Sequence, residues 1–93
     1  MPDEAIESEQ AMKDFSKAIE SKPEYVDAHL HRGVVYIKLE LPTAACDDFY
    51  QVGLLSLKES NKTKALGCVD MIKKTDPSSP LIKKLMDKIY EEQ

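Results

Sequence analysis

Apolar residues return along this chain every three or four positions, the interval that lines one face of a helix. Met12, Phe15 and Ile19 form such a stripe, with Ala11 and Ala18 beside it, and predict a first helix over 3–21. A second, over 24–40, is apolar on two sides: Tyr25, Ala28, Tyr36 and Leu39 (with Arg32 among them) on one, Val26, Leu30, Val34, Ile37 and Leu41 on the other. A third, over 43–59, carries Ala45, Phe49 and Val52 on one stripe and Cys46, Tyr50, Gly53, Leu54 and Leu57 on another. Apolar residues on two sides mark a helix with neighbours on both. Ala65, Leu66, Val69 and Ile72 predict a fourth helix over 62–75, and Leu81, Ile82, Leu85, Met86 and Ile89 a fifth over 79–91. No run alternates with a period of two, so the expected class is all-α.

Breaks fall at Lys22-Pro23, Leu41-Pro42, Ser60-Asn61 and between Asp76 and Pro80. Proline suits a first helical turn, where its missing N–H is not needed. This places Pro23, Pro42 and Pro80 at the starts of the second, third and fifth helices. Asn61 and Ser79 are expected N-caps. Asp3, Glu4 and Glu7, and likewise Asp47-Asp48, are read as acids in the first turns of their helices, where the dipole favours negative charge.

A longer period overlies the helical one. Ala11 and Phe15 recur as Ala45 and Phe49, a shift of 34 residues. Residues 26–57 carry Gly33 and Tyr36 in G-x2-Y spacing, then Ala45 and Phe49 in A-x3-F spacing. Ala11, Phe15, Ala18 and Pro23 match Ala65, Val69, Ile72 and Pro77 in spacing. This pattern resembles the tetratricopeptide repeat, a helix–turn–helix unit that stacks on copies of itself. His29 stands where that family usually has Trp, Arg32 where it has Leu, and Leu57 where it has Pro. The resemblance divides the chain, one domain over 1–93, into a half repeat at 3–23, a full repeat at 24–57, a degenerate repeat at 43–77 that shares the third helix, and a capping helix at 79–92. Ala11, Phe15, Ala18, Gly33, Tyr36, Ala45, Phe49, Ala65 and Val69 are its packing positions. The expected fold is an antiparallel helix–turn–helix stack of about five helices.

Composition narrows the function. The 93 residues carry a net charge of −4, without the basic stripe a nucleic-acid binder needs. No apolar run approaches the roughly 18–20 residues of a membrane span, and no apolar leader opens the chain. Cys46 and Cys68 lie in no C-x-x-C and at no metal-ligand spacing from His29 or His31. They are expected to be reduced and buried, in a cytoplasmic protein. No catalytic or phosphate-binding motif is present. Gly33, Gly53 and Gly67 are isolated, as at helix–helix contacts. His29 and His31, two apart, point to different helix faces, so catalysis requires a cleft joining one of them to Asp or Cys. The expectation is a non-catalytic module with no cofactor and no metal.

In the resembled family the first helix of each repeat lines a peptide-holding groove. That implies a groove row of Asp27, Leu30, Val34, Ile37 and Lys38. Twenty residues on, Asp47, Tyr50, Leu54, Leu57 and Lys58 repeat the order acid, three apolar residues, lysine. The partner is expected to be a protein or peptide. The two aspartates disfavour a C-terminal carboxylate as its anchor. The alternative is a structural module, either part of a longer array or joined to a second copy through the Met12, Phe15 and Ile19 stripe of the first helix.

Overall fold

The computed structural model describes residues 4–91, with side chains from residue 9 onward. These form five helices and no strand: α1 (Glu4–Ser21), α2 (Val26–Lys38), α3 (Pro42–Lys58), α4 (Lys62–Thr75) and α5 (Pro80–Glu91). Asp3 and the side chains of Glu4 and Glu7, assigned above to the helix dipole, lie outside the described residues.

Short connections turn each helix back on the one before. α1 packs on α2, and α3 packs on α2, α4 and α5, so α3 is central, as its two apolar stripes require. It supplies Ala45, Cys46, Phe49 and Val52 to the core, where Ala65, Cys68, Val69 and Ile72 of α4 and Leu85 and Ile89 of α5 meet them. The molecule measures 49 × 30 × 16 Å. Its short dimension accommodates two packed layers of helices, whose axes sit about 8–10 Å apart, and every helix keeps a face in solvent. On α1 Ala11, Met12, Phe15, Ala18 and Ile19 are only half-buried, because one neighbouring helix covers them.

The connections repeat in two kinds. α2 ends where Glu40 turns left-handed (φ 60°), with Leu41 N–H donating to Tyr36 O at 2.9 Å. Twenty residues on, α3 ends where Ser60 does the same (φ 59°) and Asn61 N–H donates to Ser56 O at 2.8 Å. Both close a helix by capping its last carbonyls from beyond the end, and both end it slightly before the sequence boundary. The α1–α2 and α4–α5 connections form the second kind. Lys22 N–H donates to Ala18 O and Tyr25 N–H to Lys22 O; Asp76 N–H donates to Ile72 O and Ser79 N–H to Asp76 O. The backbone thus repeats the spacing shared by the Ala11–Pro23 and Ala65–Pro77 segments.

Asn61 caps α4 by accepting from Lys64 N–H at 3.0 Å, and Ser79 Oγ accepts from Leu81 N–H at 3.2 Å ahead of Pro80. Pro23 does not start its helix. It lies in the turn, and α2 begins three residues later at Val26. The residue before a proline is pushed from helical geometry, and the carbonyl of Pro23 is taken by the His29 ring.

Gly33 and Gly53 lie at close helix contacts. A Cβ on Gly33 would stand 2.7 Å from Phe49 Cε1, and one on Gly53 would stand 2.6 Å from Leu85 Cδ2. Gly67 does not follow them: a Cβ there meets nothing within 4 Å. Its side of α4 faces solvent.

Candidate functional site

Two features of the surface and interior have the makings of a site. The first is a polar cluster between α2 and α3. Asp48, 2% exposed, accepts from Arg32 Nε and Nη2, both at 2.8 Å, in a forked pair. The same carboxylate lies 3.1 Å from His29 Nδ1, and His29 Nε2 lies 2.9 Å from Pro23 O. Both ring nitrogens thus face oxygen atoms, and which nitrogen carries the proton sets which contact is a hydrogen bond. Arg32 also reaches Ser16 Oγ on α1 at 3.5 Å and stacks over the Tyr36 ring, 5.8 Å from its centroid. Its hydrogen bond to Asp48 raises its pKa, against an opposing effect of burial. The cluster ties α1, the α1–α2 turn, α2 and α3 together.

The sequence placed Asp48 beside Asp47 as a dipole partner for α3. Both instead lie beyond the first turn of α3, which holds no acid, so the dipole no longer acts appreciably on either; Asp47 is exposed, and Asp48 is spent on Arg32 and His29. The signal was present: Arg32 interrupts an apolar stripe, and a charge held there requires a buried partner of opposite sign. His29 is buried, as a residue in a Trp slot would be, but through hydrogen bonds as well as packing. Neither ring nitrogen is open to a substrate, and neither His29 nor Asp48 lines the depressions described below. His31 is exposed and lies against the Phe15 ring, centroids 5.6 Å apart. The thiols of Cys46 and Cys68 are free and buried. Burial pushes both upward, Cys68 to about 11, which leaves them poor nucleophiles.

The second feature is a pair of adjoining surface depressions. The larger, about 560 Å³, is lined by Ile37 and Glu40 at the end of α2, Pro42 at the start of α3, and Lys74 and Thr75 at the end of α4. The smaller, about 340 Å³, shares Glu40 and Pro42 and adds Leu41, Thr43, Ala44 and Asp47. Around them Val34 and Ile37 are each 44% exposed and Leu41 48%.

The sequence-predicted rows divide between surface and core. Asp27, Val34, Ile37 and Lys38 of α2 are exposed, as are Asp47 and Lys58 of α3. Leu30, Tyr50, Leu54 and Leu57 are half-buried and pack against the core. Ile37 opens onto the larger depression and Asp47 onto the smaller; Asp27, Leu30, Val34 and Lys38 of the α2 row and Tyr50, Leu54, Leu57 and Lys58 of the α3 row line neither. Lys58 Nζ instead lies 3.9 Å from Glu24 Oε1 in an exposed ion pair. The opposite wall of the larger depression, Lys74 and Thr75, comes from α4, which contributes to neither row. Among the described residues no helix is long and apolar enough to cross a membrane. Comparison with protein-family models finds no match to this chain, and comparison with curated proteins finds none.

Proposed function

We propose that this protein is a non-catalytic interaction module of the tetratricopeptide kind, an adaptor that holds a protein or peptide segment on the face joining α2, α3 and α4. The observation that carries this reading is the depression at Ile37, Pro42 and Lys74, with Val34 and Leu41 exposed beside it. A concave, partly apolar surface with a few charges at its rim suits a peptide. The antiparallel stack, the close approach of Gly33 to Phe49 and the recurring connections support the family assignment. Two free, buried cysteines accord with a cytoplasmic setting. Self-association through α1 has weaker support, since from residue 9 onward its exposed residues are polar: Glu9, Gln10, Lys13, Asp14, Lys17, Glu20 and Ser21.

Affinity capture with the full chain and its Ile37→Glu variant, followed by mass spectrometry, tests the reading. Ile37 is exposed enough for the variant to keep its helical circular dichroism. A partner held by the wild type and lost from the folded variant is the expected result. A partner retained equally by both would place binding elsewhere.

A further inference from the structure

Helix α4 carries features that its own stability does not explain. Lys62, Lys64, Lys73 and Lys74 are exposed with Asp70 as the only acid on the helix, although the chain as a whole has net charge −4. Lys73 and Lys74 suit the negative end of the helix dipole, but Lys62 and Lys64 stand in the first turn, where the dipole opposes them. Among the described residues, no carboxylate lies within ion-pairing distance of any of the four. Gly67 weakens the middle of the helix relative to alanine, yet no neighbour requires its lack of a side chain. Gly67, Met71 and Lys74 follow one another at helical spacing on one stripe, and Lys74 forms a wall of the larger depression. Beside Gly67, Leu66 is 41% exposed.

We propose that the outer face of α4 binds an acidic protein segment carrying an aliphatic anchor. The anchor enters the depression at Ile37 and Pro42, carboxylates meet Lys74 and Lys64, and the segment's backbone closes on α4 at Gly67. The proposal rests on the interaction-module reading and adds to it the sign of the partner and its path. Charge complementarity selects the partner: Lys64 and Lys74, on the same stripe as Gly67 and Met71, attract carboxylates, and Lys62 and Lys73 add positive charge on the other flank of the helix. Ile37 and Pro42 in the depression offer an aliphatic side chain a seat that a nucleic-acid backbone cannot use.

The test uses the full ¹⁵N-labelled chain and two synthetic 12-residue peptides. Each has two leucines four residues apart, flanked by glutamates in one and by lysines in the other. The glutamate peptide is expected to move the amides of Gly67, Met71 and Lys74, with an affinity that falls as salt is added. Lys74→Glu should weaken it about tenfold or more, the loss of one charge-assisted contact. Gly67→Ala should raise the Tm by roughly 4–8 °C while weakening the peptide several-fold, a combination that damage to the fold does not produce. Equal binding of the lysine peptide, unchanged affinity in Gly67→Ala, or equal competition by a single-stranded oligonucleotide would each overturn the proposal. Shifts at Val34 and Ile37 without charge preference would reject the acidic partner and leave the interaction module standing. No shift on α2, α3 or α4 with either peptide would count against both.

Discussion

Replacing Asp48 by alanine removes the acceptor shared by Arg32 and His29. The carboxylate is 2% exposed and receives two forked bonds of 2.8 Å from Arg32. Deleting one partner of a buried ion pair costs about 3–5 kcal/mol, mostly because the remaining charge has no counterpart. The Arg32 side chain is 21% exposed and recovers some hydration, which sets the cost at the lower end of that range, and the His29 ring loses its partner as well. The loss should therefore be about 3 kcal/mol. A 93-residue domain has about 5–14 kcal/mol in all. The Tm should fall by at least about 12 °C, with a matching shift of the urea midpoint followed by circular dichroism. The triple variant His29→Leu, Arg32→Met, Asp48→Leu removes every member at once and should return to within about 2 kcal/mol of wild type, since apolar replacements of similar volume often match such clusters. A loss below about 1 kcal/mol in Asp48→Ala would show that the cluster contributes no more than a surface pair. A triple variant as unstable as the single one would show that lost packing, not unpaired charge, sets the cost.

Other outcomes follow from the packing and from the thiols. Gly33→Ala should cost about 1–3 kcal/mol, because its Cβ would press on the buried Phe49 ring at 2.7 Å; a urea midpoint at or above wild type would refute the contact. Asn61→Ala should cost about 1 kcal/mol by removing the acceptor for Lys64 N–H, and hydrogen exchange at the first turn of α4 should rise with it. Cys68 is raised from 9.0 to about 11, chiefly by burial. The folded chain thus holds this proton more tightly than the unfolded one, so the stabilisation is complete below about pH 9 and is lost as pH rises through about 11. Urea titrations at pH 8, 10 and 11 should show wild type losing stability relative to Cys68→Ala; parallel profiles would be inconsistent with a buried neutral thiol.

The helices, the central place of α3 and the caps at Asn61 and Ser79 were legible in the sequence because they depend on local spacing. An amphipathic stripe states which face is buried, and a capping side chain acts within three residues of itself. The left-handed residues Glu40 and Ser60 carried no such signal, since neither is the glycine or asparagine usual at that position. Helix ends therefore fell a residue or two earlier than the pattern implied.

Which residues meet across helices is another kind of information. The sequence marked Gly33, Gly53 and Gly67 alike; packing against Phe49 and Leu85 separated the first two from the third, left bare in solvent. It placed Asp47 and Asp48 together, and the rotation of α3 sent one to the surface and the other into a pair with Arg32. It joined the α2 row to an α3 row by their shared order of residue types, while tertiary structure set Ile37 opposite Lys74 of α4. Periodicity determines a helix's buried face to within the width of a stripe. The crossing and axial position of each helix on its neighbours decide which single side chain lies across from which, and those are set by the whole core at once. The sequence by itself determined an all-α stack centred on α3; only the tertiary structure decided where that stack leaves an opening and which charges stand around it.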